Sequence, residues 1–414
     1  MSEITIDVNR LGRELDDLAR LSATEPPSIT RILYTPPDLA GRKFVRQLCV
    51  DAGLSVREDA VGNLFARWAG SSPELSAVGT GSHIDAIPHS GMYDGTVGVL
   101  GGLEAIRALQ RSGFQPKRSI ELLLFTSEEP TRFGIGCTGS RALAGTLSPS
   151  DLSELKDAEG NRLDNIRREA GFTGPLESVR LQADHYSAFV ELHIEQGPIL
   201  ERENLSIGIV TAIAAPAAFR VKLDGSGGHA GAVLMPERRD ALCAAAEIVL
   251  AVEAAAKATG CPDTVATVGI CQVHPGAINS IPSAVNLTID VRDVILISRD
   301  QAVRAILEAI RTTATKRNVT ATIETISSDP PATMAPAIIA ATEDSCRERG
   351  ISHRKLVSRA YHDSLFMARL GHTGMIFIPC RNGWSHRPDE FASPEAIGAG
   401  VEVLARTLAR LSQN

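Results

Sequence analysis

Three short, continuous apolar runs are the feature that most constrains the fold of this chain. They read "SIELLLF" (residues 119–125), "AFVELHI" (188–194) and "GMIFIPC" (374–380). Runs of this kind are typical of strands that helices cover on both faces of a sheet. The chain of 414 residues therefore predicts an α/β protein, in which strands alternate with helices.

The segments around these runs carry helix signals. After the stretch "DGTVGVLGG", apolar residues recur at helical spacing and Gly113 follows the last of them as a stop. Ser393 as N-cap and Pro394 at the first helical position begin the last helix. Near the N-terminus, leucines at 11, 15, 18 and 21 predict an amphipathic helix rather than a signal peptide.

The middle of the chain has a different pattern. "FRVKLDG" and "VNLTIDVRD" alternate between apolar and polar residues, as strands with one solvated face do, and they bracket predicted helices at roughly 240–259 and 300–316. We interpret residues 213–329 as a four-stranded α+β insert. Residues 1–212 and 330–414 would then form one catalytic, metal-binding domain, with "SSDPPATMAP" as a linker.

Side chains suited to metal binding stand at or just after the buried runs, where an open α/β sheet forms its binding crevice. Imidazoles and carboxylates together suit zinc, or manganese where oxygen ligands dominate. Asp85, two residues after His83, is predicted to hold the far nitrogen of that imidazole. The candidate set is His83, Asp94, Glu128, Glu129, His193 and His386.

Each of these residues has an ordinary alternative explanation. A single histidine near a strand end is more often a surface or core residue than a ligand, and adjacent glutamates usually lie on a solvated face. The stretch "GTVGVLGG" could be a phosphate-binding turn, but it matches neither GxGxxG nor GxxxxGK[ST]. The joint occurrence of the candidates after buried strands is what favours a metal site.

Six motifs carry a resemblance to a known family. They read "GSHIDAIPHSGMYDG", "FTSEEPTRFG", "LHIEQGPILE", "GGHAGAVLMPERRDA", "HPGAINSIPSAVNLTIDVRD" and "YHDSLFMA" with a later "SHRPDE". In order and spacing the chain resembles the dinuclear-metal amidohydrolase branch of the M20 peptidase-like family, along nearly its whole length. That resemblance implies a mixed-sheet, metallopeptidase-like catalytic domain, an inserted α+β dimerisation or lid domain, and a homodimer.

The resemblance also implies a metal centre. His83, Asp94 and His193 look like the ligands of one divalent ion, and Asp94, Glu129 and His386 like those of a second, so that Asp94 would bridge two zinc or manganese ions. Peptidases of the wider family typically have a carboxylate where His193 stands. The histidine at this position therefore disfavours an exopeptidase.

Catalytic and substrate-binding roles follow from the same resemblance. Glu128 looks like the general base, Asp85 is counted with it among the catalytic residues, and His229 resembles a residue that reaches the active site of the partner subunit. Arg292 resembles an arginine that binds the substrate carboxylate, which suits a planar guanidinium. The implied substrate contacts are Gln196, Asn279, Arg292 and His362.

Two departures from the pattern bear on the substrate. Carbamoylases of this branch tend to show "GAGHD" and "HAGTTPM", whereas this chain reads "SRAYHD" and "HAGAVLMP", so that Arg359 and Tyr361 add bulk. The sequence of these motifs most resembles that of the ureidoglycolate amidohydrolases. We expect hydrolysis of the terminal ureido group of ureidoglycolate, with release of ammonia and carbon dioxide and with hydroxyglycine preceding glyoxylate.

Other functions stay open at this point. Allantoate or an N-carbamoyl-L-amino acid is the alternative substrate, and an aminoacylase or dipeptidase comes third. A metal-binding protein without catalysis would not need Glu128, so the presence of that residue favours an enzyme.

Composition limits partners and location. The formal net charge of -7 and the absence of Lys/Arg clusters argue against nucleic acid, and no window is long and apolar enough for a membrane span. Seven cysteines without a CxxC motif suggest reduced thiols used as small hydrophobes, as at Cys49, Cys243, Cys271 and Cys380. We expect a cytoplasmic enzyme with a small-molecule substrate.

Overall fold

A computed structural model describes residues 3–414 and divides the chain into two compact units. The first unit contains the residues up to Thr211, together with Met334–Ser358 and His362–Asn414. The second contains Ala212–Thr333 and the short segment Arg359–Tyr361. This short segment lies outside residues 213–329, which the sequence predicts as the insert.

The described residues form twelve α-helices, seventeen strands and three short 3₁₀ turns. The helices are α1 (Val8–Ala19), α2 (Pro36–Asp51), α3 (Thr96–Arg111), α4 (Thr138–Leu143), α5 (Pro149–Glu154), α6 (Leu163–Glu169), α7 (Ile199–Arg202), α8 (Ala241–Ala258), α9 (Leu296–Arg317), α10 (Pro336–Arg349), α11 (Ser364–Met367) and α12 (Pro394–Gln413). The strands are β1 (Ile29–Arg31), β2 (Ser55–Glu58), β3 (Leu64–Trp68), β4 (Ala77–Ser82), β5 (Ala86–Ser90), β6 (Ile120–Leu124), β7 (Tyr186–Ile194), β8 (Ile207–Ile213), β9 (Ala215–Asp224), β10 (Gly228–His229), β11 (Val265–His274), β12 (Ser280–Ile281), β13 (Ala284–Asp293), β14 (Thr320–Ser328), β15 (Ala332–Thr333), β16 (His353–Ser358) and β17 (Thr373–Ile378).

A mixed sheet organises the first unit. Its strand order is β8-β17-β7-β4-β6-β3-β2, with β16 also paired to β8. The four central strands β17, β7, β4 and β6 run parallel, whereas β8, β3 and β2 pair antiparallel to their neighbours. The three apolar runs of the sequence are the strands β6, β7 and β17, and the predicted α/β class with a mixed sheet is confirmed.

Helices cover both faces of this sheet, as the continuous apolar runs predict. Along β6, Leu122 and Leu124 pack into one cluster with residues of α1, α3 and α12, whereas Leu123 packs with Phe125 and Phe189 in another. Each fully buried leucine or phenylalanine contributes roughly 1.5–3 kcal/mol of hydrophobic free energy. In α1 the leucines 11, 15 and 18 are buried, but Leu21 lies beyond the end of the helix at Ala19.

The parallel strands bring the candidate ligands to one edge of the sheet. The carboxyl ends of parallel neighbours lie at the same edge, and His83 directly follows the last residue of β4. Glu128 follows the end of β6 by four residues, His193 is the penultimate residue of β7, and His386 stands in the loop between β17 and α12. Asp94 lies two residues before α3.

The second unit is built around an antiparallel sheet of order β11-β13-β9-β14, packed against α8 and α9. Alternate residues of β9 and β13 are buried, as the sequence pattern predicts. A two-stranded ribbon joins β10 to β12, and β15 pairs with Ala212 and Ile213. Within residues 3–414, no helix has both the length and the apolar character that crossing a membrane requires.

The surface of the second unit differs from the sequence expectation. Cys243 and Cys271 were expected in the core, but both are exposed, whereas Cys49 and Cys380 are buried as expected. The first two lie on the outer sides of α8 and of the edge strand β11, where apolar neighbours such as Leu250 and Ile270 are exposed as well. An apolar sequence context did not indicate burial here, because the apolar surface itself faces outwards.

Candidate metal centre

His83 stands at the start of the candidate centre and is almost fully buried, with 1% of its surface exposed. Its Nδ1 lies 3.1 Å from the backbone oxygen of Asp85 and 3.5 Å from the Asp85 carboxylate. A proton on Nδ1 would satisfy these oxygens and leave Nε2 with its lone pair free. Nε2 faces Oδ1 of Asp94 at 3.5 Å.

Asp85 also fixes the two glutamates. Its Oδ1 accepts a hydrogen bond from the backbone N–H of Glu128 at 3.1 Å, and its Oδ2 accepts one from Glu129 at 3.0 Å. The buried carboxylate of Asp85 therefore positions His83, which follows β4, and the two glutamates that follow β6.

Asp94 lies between two groups of side chains. Its Oδ1 is 3.2 Å from Nε2 of His193 and faces His83, whereas its Oδ2 is 3.5 Å from Nε2 of His386. The glycine that follows is required: Gly95 has φ +66°, and a Cβ there would lie 2.4 Å from Nε2 of His83. This close approach gives a physical reason for the glycine in "YDGTVG".

Glu129 completes the second group. Its Oε1 lies 3.1 Å from Nε2 of His386, and its own side chain is nearly buried. The side chain of His386, by contrast, is 44% exposed, and its backbone has φ +60°. The second group is therefore open to solvent on the side of His386.

Electrostatics couple these groups strongly. Burial disfavours the charged form of Asp94, but the imidazoles of His193 and His83 outweigh burial and hold the pKa of Asp94 well below its usual range. Burial likewise opposes protonation of His83 and His193, but their carboxylate neighbours outweigh it and raise the pKa of both. The hydrogen bond with Glu129 raises the pKa of His386 to about 9.

Two divalent cations fit this arrangement. Ligand atoms about 2.05 Å from a tetrahedral ion lie roughly 3.3 Å apart, close to the 3.1–3.5 Å spacings between these imidazole nitrogens and carboxylate oxygens. Nε2 of His83 is buried without a hydrogen-bond partner, which a bound cation would supply. His83, Asp94 and His193 form one candidate site, and Asp94, Glu129 and His386 a second.

A third cluster, Glu191, His193 and His362, also has ligand atoms close together. The carboxylate of Glu191, however, already accepts hydrogen bonds from Ser82 Oγ at 2.8 Å and from Ser364 Oγ at 2.6 Å. We interpret this cluster as a hydrogen-bonded support under His193.

Glu128 lies beside both candidate sites without being part of either. Its Oε2 is 4.0 Å from Nε2 of His83, and its Oε1 is 3.8 Å from Sγ of Cys137. Burial, together with the charges of Glu129 and Asp363, raises the pKa of Glu128 well above its usual value. A carboxyl group with a raised pKa takes up a proton more readily than an ordinary glutamate does, as general acid–base catalysis requires.

Two residues predicted to contact the substrate hold the centre together. Gln196 donates a hydrogen bond from Nε2 to Oδ2 of Asp94 at 2.6 Å. His362 is buried, with its ring edge-on to that of His193 at 4.6 Å and its Nε2 2.9 Å from Ser358 Oγ. The structure brings both residues to the candidate centre, where each contacts a predicted ligand.

The other predicted residues belong to the second unit. His229 on β10 is exposed, and the following Ala230 N–H donates to the carbonyl of Asn279 at 2.8 Å, which brings these two residues together. Arg292 on β13 pairs with Asp290 at 2.9 Å and donates to the carbonyl of Arg359 at 3.2 Å.

Arg359 and Tyr361 are the residues that add bulk relative to the carbamoylase pattern. In the structure the Arg359 side chain forms an ion pair with Asp263, and the Tyr361 hydroxyl donates to Asp329 at 2.6 Å. Both partners lie in the second unit, so these side chains fasten the segment Arg359–Tyr361 within that unit.

Sequence reasoning missed three buried carboxyl groups around the centre, namely Glu191, Asp363 and Glu390. Glu191 had a visible signal, because it interrupts the apolar run "AFVELHI". Asp363 and Glu390 stand inside motifs already singled out, directly after His362 and four residues after His386. A charged residue within such a motif is a signal for a supporting role.

Comparisons with known proteins agree with this geometry. The family model of peptidase family M20/M25/M40 matches residues 79–410. The ureidoglycolate hydrolase of Arabidopsis thaliana is 52% identical, over 99% of this chain and 88% of its own length. The N-carbamoyl-L-amino-acid amidohydrolase of Paenarthrobacter aurescens is 36% identical, over 98% of both chains.

A solved structure is equally similar. The crystal structure of AtUAH in complex with (S)-hydroxyglycine shares 52% identity and a TM-score of 0.90, covering 99% of this chain and 98% of that one. The similarity therefore extends over nearly the whole chain.

Proposed function

This chain belongs to peptidase family M20/M25/M40, and we propose that it hydrolyses the terminal ureido group of ureidoglycolate, releasing ammonia and carbon dioxide. The observation that carries the substrate assignment is the 52% identity, over 99% of the chain, with a relative named ureidoglycolate hydrolase. The chain is an amidohydrolase that acts on C–N bonds.

The buried carboxyl groups account for the proton transfers. Glu128 would take a proton from the attacking water and return it to the leaving ammonia, since its raised pKa suits both steps. Asp85 would keep Glu128 in place through the backbone hydrogen bond. Hydroxyglycine formed in this way would decompose to glyoxylate and a second ammonia.

Two divalent ions, zinc or manganese, are proposed to bind the ligand groups that share Asp94. Such ions supply Lewis-acid chemistry, polarising a carbonyl and lowering the pKa of water. Elemental analysis of protein prepared without chelator should show up to two ions per chain. A chain that binds none would contradict the proposed centre.

Substrate recognition is proposed to involve five residues. Arg292 would bind the substrate carboxylate through its planar guanidinium, and Asn279 and His229 would supply donors to the oxyanion. Gln196 and His362 would act beside the ligands that they already contact.

We propose a homodimer formed by the second unit. Its edge strand β11 and its helix α8 present exposed apolar side chains, among them Ile270 at 47% and Leu250 at 67% exposure. Exposed apolar side chains of this kind favour protein–protein contact, and a second copy of the chain would cover them symmetrically.

Three candidate substrates need to be distinguished by experiment. The 36% identity to a carbamoyl amino acid amidohydrolase keeps N-carbamoyl amino acids as the alternative substrates, with allantoate beside them. An ammonia-release assay with ureidoglycolate, allantoate and N-carbamoylglycine, after addition of Mn²⁺ or Zn²⁺, distinguishes them. Preference for either of the last two would overturn the assignment to ureidoglycolate.

Our proposals for the cellular location and for the absence of a nucleic-acid partner are based on the sequence alone. We propose that the enzyme acts in the cytoplasm and binds no nucleic acid, on the grounds of its cysteine pattern and its net charge of -7.

A further inference from the structure

Glu390 is a buried carboxylate that the proposed reaction does not use. Only 4% of its surface is exposed, and in the described part of the chain no lysine or arginine pairs with it. A buried carboxylate without a cation is costly unless hydrogen bonds compensate for the lost water. Its hydrogen bonds therefore indicate what it does.

These hydrogen bonds join two loops. Oε1 of Glu390 accepts from the backbone N–H of Tyr93 at 2.9 Å and of Asp94 at 3.0 Å. Oε2 lies 2.9 Å from Oγ of Ser385, whose hydroxyl also lies 2.5 Å from Oδ2 of Asp94. Glu390 thus connects the loop of residues 91–94, here the Asp94 loop, to the loop of residues 385–390, here the His386 loop.

Gly91 shows how tightly the two loops pack. A Cβ at residue 91 would lie 2.4 Å from Cβ of Glu390 and 2.5 Å from its carboxyl carbon. No side chain fits there without moving Glu390. The sequence leaves room for this contact by placing a glycine three residues before Asp94.

His386 needs such support more than the other histidines do. Nδ1 of His83 is held by Asp85, and Nδ1 of His193 lies 2.9 Å from the carbonyl of Ile194. Among the described residues, no hydrogen-bond partner holds Nδ1 of His386, and its side chain is 44% exposed. The position of this imidazole therefore depends on the conformation of the His386 loop.

We propose that Glu390 is a positioning residue that sets the affinity of the second metal site, by holding the His386 loop against the Asp94 loop. The inference rests on the proposed metal centre. It assigns Glu390 no contact with substrate or metal. Supporting partners of this kind typically change metal affinity by about 10–100-fold when they are removed.

The test is a calorimetric titration of chelator-treated, metal-free protein with Mn²⁺ alone. Wild type should bind two ions. In Glu390→Ala the Kd of one of them should rise about 10–100-fold, while the other ion remains bound much as before. Glu390→Gln should behave like wild type, because its amide oxygen still accepts the two backbone N–H groups and its NH₂ can donate to Ser385.

A matched control lies in the same loop. Asp389 is exposed and pairs with Arg387, so Asp389→Ala removes one negative charge without touching the Asp94 loop and should leave both affinities unchanged. In a His386→Ala background, Glu390→Ala should have no further effect, since the site it supports is already lost.

Thermal unfolding of the metal-free variants checks that they fold, and Gly91→Ala replaces Glu390→Ala if the latter does not. Two unchanged affinities in the variant, or two affinities lowered equally, would overturn the inference. Wild type that binds no Mn²⁺ would instead overturn the metal centre itself, so the two failures are distinguishable.

Discussion

The two units of the chain depart in opposite ways from the usual rule that charged residues are exposed and apolar residues are buried. The first unit buries charged groups, such as Glu191, Asp94 and Asp363, whereas the second exposes apolar ones. Among the described residues, every exposed large hydrophobic side chain except Val50 lies in the second unit. Because each departure has a cost, each calls for a function, and the proposed cation binding and proton transfer in the first unit and the proposed association in the second would supply it.

The sharpest test of the first unit separates its chemistry from its metal binding. Glu128→Gln keeps the shape of the side chain and leaves the five proposed ligands intact. Turnover should fall by about two to four orders of magnitude, the usual contribution of a general base, while metal content persists. Steady-state kinetics and elemental analysis measure the two quantities. The exposed Glu159→Gln is the matched control, and near-normal turnover in Glu128→Gln would mean that another base acts.

A second test asks whether His229 of one subunit acts in the active site of the other. His229→Ala and Glu128→Gln chains should each be inactive, but mixed dimers from co-expression should recover up to roughly half of wild-type activity, because one site of a two-fold dimer receives both working residues. Absence of rescue in purified mixed dimers would place His229 within its own subunit or outside the reaction.

A third test targets the apolar surface directly. The double variant Leu250→Glu/Ile270→Glu places charges on α8 and β11 and should halve the molar mass in light scattering, because buried charges oppose association. Val50→Glu changes an exposed side chain of α2 in the first unit and should leave the molar mass unchanged. A dimer that survives the double variant would contradict association through this surface.

The smallest expected effect concerns the thiols. Burial raises the pKa of Cys49, Cys346 and Cys380 to about 12, so these groups stay protonated and unreactive at pH 8. Exposed Cys271 and Cys243 should react with a thiol reagent first, and the buried Cys49, Cys346 and Cys380 only after unfolding. Peptide mapping of the labelled sites measures this, and early labelling of Cys49 would contradict the buried assignment. Slower labelling of Cys271 in the dimer than in the Leu250→Glu/Ile270→Glu variant would link both tests.

Much of the fold can be predicted from the apolar pattern of the sequence and from residues that begin or end helices. The continuous runs predicted β6, β7 and β17, and Ser393 with Pro394 predicted the start of α12, because local chemistry decides those features. The exposure of Cys243 and Cys271 could not be predicted in this way. Apolar neighbours indicate an interface of some kind, but not whether the partner is the same chain's core or another molecule.

The candidate site divides along similar lines. Ligand types such as His83 and Glu129 are visible in the sequence, because few other residues suit a cation. The contacts of Arg359 with Asp263 and of Glu390 with Asp94 join residues 96 and 296 positions apart. No local pattern encodes such a distance, so the partner of Arg359 was not predicted and Glu390 was overlooked.

Asp85 has a further consequence for how this enzyme could change over generations. One carboxylate holds the candidate ligand His83 and, through two backbone N–H groups, both Glu128 and Glu129. A substitution at this position would disturb metal retention and proton transfer together, so the two properties cannot be tuned independently there. Lineages that adapt to a new substrate are therefore expected to vary the residues around the ureido acid and to leave position 85 fixed.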